Sequence, residues 1–353
     1  MVFMKKLEKL LILTIFSILL LSVSGCKKVS ENVFNSWNDC QSLSSLQKFV
    51  EDVTDEKSEN FIPKEDRIAT FDMDGTFVGE LYPSYFEYNM LVYRILEDPG
   101  YKDKASESEV AAAQAIRDFV RNGKKLPDHF DIIHGKAAAK AYAGFTVEEF
   151  DSYVKEFAAK PANGFTGMTY GQSFYKPMLE IFDYLKSKDF TFYVVTGSDR
   201  FLARSLVSSI NIDPEHVIGM DVLLKASNQG ETEGVDYTFT KDDILLRGDQ
   251  LLIKNLKTNK VKQIAQEIGK VPVLSFGNSG GDAAMHNYCL KNPKYKSMAF
   301  MLIADDDEDD HANREKALKL GQQWKEAGYQ VISMRDDFKT IYGENVKKVD
   351  FVF

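Results

Sequence analysis

The sequence predicts an α/β protein: a Rossmann-like, doubly wound parallel sheet with an inserted helical cap domain. Short runs rich in β-branched and aromatic residues recur along the chain, and helical stretches separate most of them. Acidic residues follow the first run directly, at 72 and 74. Parallel strands need long crossover connections, so this alternation favours a parallel sheet. Polar residues at the carboxyl ends of such strands commonly form a ligand site.

The individual strands are predicted from short apolar runs bounded by turn residues. They cover residues 67–71, 190–195, 271–276, 297–303 and 329–333. Between residues 221 and 256, two β-prone pieces at 237–240 and 250–253 predict a small antiparallel flap.

The interval after the first strand has helical periodicity and no comparable strand run. Its predicted helices cover residues 85–96, 107–121, 136–143 and 147–159. We therefore expect a helical cap over 80–174, inserted into a catalytic core formed by 65–79 and 175–353.

The N-terminus reads as a signal peptide over residues 1–25. Three lysines precede an apolar run at 10–21, interrupted only by Thr14 and Ser17, which is too short to span a bilayer comfortably. The stretch ending at Cys26 resembles the lipobox of bacterial lipoproteins, which implies lipidation of Cys26 and an extracytoplasmic protein anchored to a bacterial membrane. An ordinary secretory signal with a chance cysteine is the alternative. Residues 26–64 are predicted to be a tether that runs into a short amphipathic helix around Leu43, Leu46 and Phe49.

Composition excludes several classes of protein. The 353 residues are 44% hydrophobic and 12% aromatic, which is enough for a large buried core. The net charge of -9 argues against a nucleic-acid partner and leaves small molecules as the expected ligands. Of the three cysteines, only Cys40 and Cys289 remain if Cys26 is acylated, so no disulfide framework is expected.

Four motifs lie at predicted strand ends or helix starts. They are residues 72–76 (Asp-Met-Asp-Gly-Thr), 195–198 (Val-Thr-Gly-Ser), Lys260, and 277–282 (Gly-Asn-Ser-Gly-Gly-Asp). In order, context and spacing they resemble the haloacid dehalogenase-like hydrolase superfamily, and within it the phosphoserine-phosphatase-like phosphatases. The resemblance covers the chain from about residue 65 to its C-terminus.

Phosphoryl transfer needs an in-line nucleophile, a proton donor for the leaving oxygen and cations around the phosphoryl group. A carboxylate at a strand end, Asp72, can attack phosphorus and form an aspartyl-phosphate. Asp74 can protonate the leaving oxygen and then activate water. A turn with a helix cap is the structural alternative for either aspartate alone. Thr196 and Gly197 can receive phosphate oxygens at a helix N-terminus, where an N-cap is the alternative.

The resemblance assigns the phosphate-neutralising cation to Lys260, and the rival Lys254 and Lys257 are placed on a solvated stretch. It also implies Mg²⁺, held by the Asp72 carboxylate, the Asp74 carbonyl, and Asn278 or Asp282. Many relatives carry Asp at the position of Asn278, so either residue could be the direct ligand.

Glu80 and nearby rings could hold a cationic group of the substrate. A stripe of aromatic core residues is the alternative for the rings, and a cap arginine such as Arg94 or Arg117 is the alternative partner for Glu80. The acidic run at 305–310 follows a predicted strand, so Asp305 could face the same crevice, whereas the rest is expected to be a solvated loop.

Together these features predict an Mg²⁺-dependent phosphatase that hydrolyses small phosphate monoesters. A solute-binding lipoprotein on the same fold is the alternative, although binding alone needs neither a nucleophile nor a proton shuttle. Hydrolysis of carbon–halogen bonds is a third possibility, which Asp74 disfavours because that reaction needs no protonation of the leaving group.

Overall fold

The computed structural model describes residues 33–80 and 85–352. From Phe34 onward they form one compact unit. The predicted signal peptide and Cys26 lie outside the described residues. Within the described ranges, no helix is both long enough and apolar enough to cross a membrane.

The strands form a large mixed sheet and a small two-stranded one. In chain order they are β1 (Ile68–Phe71), β2 (Phe165–Thr166), β3 (Thr191–Asp199), β4 (Val217–Ala226), β5 (Leu245–Ile253), β6 (Leu274–Gly277), β7 (Met298–Ile303), β8 (Gln330–Ser333) and β9 (Lys347–Lys348). The seven-stranded sheet has the order β5-β4-β3-β1-β6-β7-β8. Its pairs are parallel except for β4 with β5. The predicted α/β class with a mainly parallel sheet is therefore confirmed.

Helices flank this sheet and fill the interval after β1. They are α1 (Gln41–Thr54), α2 (Phe86–Leu96), α3 (Glu107–Asn122), α4 (Phe130–Ala141), α5 (Val147–Ala158), α6 (Lys176–Ser187), α7 (Arg200–Val207), α8 (Thr258–Gln263), α9 (Ala283–Leu290), α10 (Arg314–Glu326) and α11 (Met334–Asp337). A π-helical turn, Ile264–Ile268, extends α8.

The centre of the sheet is held by aromatic packing across neighbouring strands. All four residues of β1 are buried, and the ring of Phe71 stacks on that of Phe276 with centroids 4.3 Å apart. Phe276 in turn stacks on Phe300 of β7 at 4.9 Å. Such large apolar contacts fix the register of β1 against β6, and so they fix where both strands end.

The helices α2 to α5 occupy the interval that was predicted to be a cap. Sequence signals set their ends: Thr146 and Glu149 form a capping box at the start of α5, and Gly123 ends α3 in the left-handed conformation. Helix α4 packs on β5, and α5 packs on α7. The limits of a separate cap domain stay a prediction.

The flap was predicted only in part. Residues 250–253 belong to β5, which pairs antiparallel with β4. The strand expected at 237–240 was wrong, because this segment turns around the carboxylate of Asp243. That carboxylate accepts hydrogen bonds from Thr240 N at 2.8 Å and from the Tyr237 hydroxyl at 2.9 Å. Local side-chain acceptors of this kind compete with strand pairing.

Candidate active site

Asp72 lies directly after β1, at the centre of the sheet. Its main-chain N–H donates to the carbonyl oxygen of Phe276 on β6 at 2.9 Å, so strand pairing fixes its position. Asn278 directly follows β6 and lines the same cavity as Asp72. The two residues come together because β1 and β6 are parallel neighbours whose carboxyl ends share one edge.

Gly75 allows the chain to turn sharply beyond Asp72. Its φ of +77° is unfavourable for residues with a Cβ. A Cβ at this position would also lie 2.0 Å from Nδ2 of Asn278. The glycine therefore gives the Asn278 side chain room beside the loop that carries Asp72 and Asp74.

Lys260 is fully buried between two carboxylates. Its ammonium nitrogen donates to Oδ1 of Asp72 at 2.5 Å and to Oδ1 of Asp282 at 2.7 Å. Burial alone would lower the pKa of Lys260, but the charges of Asp282 and Asp72 outweigh it and raise that pKa. Burial and the charge of Asp282 raise the pKa of Asp72 to about 7, although Lys260 opposes them.

Asp282 organises the loop after β6. Its Oδ2 accepts from the main-chain N–H groups of Asn278 at 3.1 Å and Ser279 at 3.0 Å. A Cβ on Gly277 would lie 2.6 Å from the Asp282 Cβ, so the loop closes this tightly only around glycine. Burial opposes the charge on Asp282, but Lys260 outweighs it and lowers the pKa. Because Oδ1 accepts from Lys260 and Oδ2 accepts from the two loop amides, both oxygens of Asp282 are engaged within the protein.

Asp74 lines the same cavity, and its two carboxyl oxygens differ. Oδ2 accepts a hydrogen bond from the Ser198 hydroxyl at 2.7 Å. Oδ1 is buried and has no hydrogen-bond partner among the described residues. Burial raises the pKa of Asp74, against the effects of Ser198 and Lys254. A buried carboxyl group with one unpartnered oxygen is suited to hold a proton and deliver it into the cavity.

Thr196 and Gly197 also line the cavity, but not at a helix N-terminus as predicted. Strand β3 continues to Asp199, which caps α7 by accepting from Phe201 N at 2.9 Å. The pairing of β3 with β4 is irregular between Val195 and Asp199. Thr196 and Gly197 lie inside this irregularity, and bulges often turn groups out of the ladder toward a site.

Lys254 was wrongly placed on a solvated stretch. It is 8% exposed, follows β5 and lines the cavity that holds Asp72 and Asp74. Its ammonium nitrogen lies 3.6 Å from Oε2 of Glu87, a buried residue of α2. Its position directly after an apolar strand was the only signal in the sequence, because the contact with Glu87 joins residues that are far apart in the chain.

Glu80 lies in a neighbouring cavity together with Tyr85 and Lys316. Burial raises its pKa, whereas a hydrogen bond from Tyr85 and the charge of Lys316 oppose that shift. The suggested cap arginines have other partners. Arg94 binds Asp98 at 2.7 Å, and Arg117 binds Glu97 at 3.0 Å.

The acidic run contributes to the fold rather than to this crevice. Asp305 accepts from the Ser333 hydroxyl at 2.7 Å and from Arg335 N at 3.1 Å, so it fastens the start of α11. The expectation that Asp305 faces the crevice was wrong, because both of its carboxylate oxygens contact the chain at and just after the end of β8. Asp307 is exposed and pairs with Arg335, as expected of a solvated loop, whereas Asp306 and Asp310 are buried, so the expectation was wrong for these two residues.

The donor chemistry around Asp72 fits Mg²⁺. Within the described residues, no group of three or more His, Cys, Asp or Glu side chains could hold a metal ion. A ligand set here would combine the Asp72 carboxylate, the Asn278 amide oxygen and the Asp74 carbonyl, with water completing it, as Mg²⁺ tolerates. Because both oxygens of Asp282 are engaged, the geometry favours Asn278 over Asp282 as the direct ligand.

Comparison with known proteins identifies the fold. No family model and no curated protein matches this sequence. A solved structure of a conserved protein of unknown function from Anaerococcus prevotii matches with a TM-score of 0.50 and 15% identity, over 84% of this chain and 92% of that one. This likeness shows a shared fold.

Two further solved structures are more distant. Cytosolic 5'-nucleotidase IIIB bound to cytidine matches over 83% of this chain and 86% of its own, at 12% identity and a TM-score of 0.48. A phosphoserine phosphohydrolase-like protein from Francisella tularensis matches over 75% and 94%, at 12% identity and a TM-score of 0.40.

Proposed function

We propose that this chain is a phosphatase of the haloacid dehalogenase-like superfamily, which hydrolyses small phosphate monoesters through an aspartyl-phosphate at Asp72. One observation carries the proposal: the Asp72 carboxylate contacts a buried lysine, while Asp74, two residues away, lines the same cavity and has a buried oxygen with no hydrogen-bond partner among the described residues. A binding protein has no use for this combination, because a buried carboxyl oxygen without a hydrogen-bond partner is costly. The four sequence motifs support the same assignment.

In the first step, an oxygen of Asp72 attacks phosphorus and the ester P–O bond breaks. The leaving oxygen takes the proton that Asp74 holds, so the alcohol departs neutral. In the second step, the Asp74 carboxylate accepts a proton from water, which attacks phosphorus, releases inorganic phosphate and restores Asp72. Ser198 keeps Asp74 oriented through both steps by its hydrogen bond to Oδ2.

The remaining residues hold the phosphoryl group and balance its charge. Lys260 keeps a positive charge beside Asp72, which offsets the negative charge that gathers there. Thr196 and Gly197 offer polar groups from the bulge of β3. Mg²⁺, when bound through Asp72 and Asn278, would supply further positive charge to the phosphoryl oxygens.

The test is a screen of phosphate esters with the chain from residue 27 onward, with and without Mg²⁺. We expect release of inorganic phosphate from at least one small monoester, lost with EDTA and restored by Mg²⁺. Tight binding of a solute without phosphate release would instead support the solute-binding alternative.

We also propose that the protein is lipid-anchored outside the cytoplasm of a bacterium, because the segment before Cys26 has the features of a lipoprotein signal. Cys26→Ala should therefore abolish anchoring, since the acylated thiol is lost and the signal peptide is otherwise removable. The measurement is a fatty-acid probe with membrane fractionation. Cys40→Ala is the matched control and should remain labelled. Labelling that survives in Cys26→Ala would contradict the lipid anchor.

Glu80 is proposed to bind a cationic group of the substrate. Glu80→Gln should lower kcat/KM about tenfold for phosphocholine and phosphoethanolamine, roughly 1.4 kcal/mol, and leave glycerol phosphate little changed. The control is Glu231→Gln, an exposed residue that lines neither cavity. If all the esters lose activity equally, Glu80 has a structural role.

A further inference from the structure

A second cavity adjoins the catalytic one. The catalytic cavity has a volume of about 230 Å³, and its neighbour has a volume of about 370 Å³. Both are lined by Tyr85, Asn278 and Ser279. The two cavities therefore share part of their walls, and the shared residue Asn278 also borders the space around Asp72.

The two cavities differ in chemistry. The catalytic cavity is lined mainly by charged and polar residues, among them Asp72, Asp74 and Lys254. The second is lined mainly by apolar side chains from β7, α10 and α3: Leu302, Ile303, Ala317, Leu320 and Phe119. Two charged residues, Glu80 and Lys316, share this lining, and His311 is within hydrogen-bond distance of the Gly164 carbonyl at 2.8 Å. The walls therefore offer apolar contact over most of their surface.

We infer that the second cavity binds an apolar part of the substrate's leaving group beside Glu80, so the preferred substrates are phosphate monoesters whose alcohol carries an alkyl or aryl group. This inference rests on the proposed phosphatase function. Ligand pockets commonly have volumes of about 300 to 1,000 Å³, so this cavity has room for a short chain or a ring rather than a long acyl chain. Apolar walls gain free energy from such a group because both surfaces leave water.

The first test compares ethyl, butyl and hexyl phosphate. Each methylene that enters the cavity should raise kcat/KM about fourfold, the equivalent of about 0.8 kcal/mol. The rise should stop once the cavity is full. A series in which kcat/KM does not depend on chain length would overturn the inference.

Two leucines of α10 provide matched variants for the second test. Leu320 lines the cavity, whereas Leu318 is 49% exposed and lines neither cavity. Leu320→Ala should lower the ratio of kcat/KM for hexyl over ethyl phosphate several-fold, and Leu318→Ala should leave that ratio unchanged. The ratio is taken within one preparation, so a partly unfolded sample does not alter it. Equal effects of the two substitutions would overturn the inference.

Binding of alkylphosphonates, which are not hydrolysed, separates this inference from the phosphatase function. Calorimetry should give an affinity that rises with chain length and falls selectively in Leu320→Ala. If no ester is hydrolysed but this dependence is found, the phosphatase function fails and the apolar site stands. If esters are hydrolysed and neither kcat/KM nor affinity depends on chain length, the apolar site fails and the phosphatase function stands.

Discussion

Asp72→Asn should reduce kcat at least about a hundredfold while the protein stays folded, because the amide keeps the shape of the side chain but is not a nucleophile. Stability should change by less than about 1 kcal/mol. Lys260 retains Asp282 as a partner at 2.7 Å, and the raised pKa of Asp72 indicates that its charge is unfavourable where it lies. The measurements are steady-state phosphate release and thermal unfolding, in protein checked for deamidation.

Asp282→Asn is the matched control for Asp72→Asn, since both remove one carboxylate from Lys260. It should cost about 3 kcal/mol of unfolding free energy, because it breaks a buried charge pair and disturbs the acceptor of the loop amides. We expect Asp72→Asn to lose activity and keep its melting temperature. Asp282→Asn should have a lowered melting temperature. Turnover by Asp72→Asn near the native rate would remove Asp72 as the nucleophile.

Asp74→Asn should slow hydrolysis of alkyl phosphates by about 10² to 10⁴, the usual contribution of a positioned acid. The loss should be much smaller for nitrophenyl phosphate, whose leaving group departs without a proton. The raised pKa of Asp74 lets it hold its proton at higher pH than a solvated aspartate does. The measurement is kcat/KM for both esters in the wild type and the variant.

Ser198→Ala is the companion variant for Asp74→Asn, because it removes the hydrogen bond to Oδ2 but leaves the carboxyl group in place. It should slow alkyl phosphate hydrolysis by only about tenfold. The ester that the wild type hydrolyses faster should also be the one that Ser198→Ala hydrolyses faster. Equal losses for alkyl and nitrophenyl phosphate in Asp74→Asn would show that Asp74 is not the acid of the first step.

Much of the fold was predictable because its signals are local. The buried run of β1 and the helix at Val147–Ala158 follow from the spacing of apolar residues. The strand predicted at 237–240 does not form, because its β-prone residues turn around Asp243. This interaction is local too, but the spacing of apolar residues does not reveal it.

The site was predictable wherever a residue directly follows a strand. Asp72 and Asn278 meet because parallel strands end at the same edge, which chain order and strand type already imply. Thr196 was misplaced since β3 continues past it through an irregular stretch. Lys254 was misjudged because a helix of the inserted interval covers it, and Glu87 on that helix pairs with its ammonium group.

The sequence by itself determined which chemical groups stand at the strand ends, since these depend on neighbours a few residues away. Only the tertiary structure decided which charges meet: Lys260 reaches Asp72 across 188 positions, and Ser198 reaches Asp74 across 124. It also decided that an apolar cavity lies beside the catalytic one. Burial and pairing are set by the packing of segments far apart in the chain, and the protonation of a carboxyl group depends on that packing more than on its place in a motif.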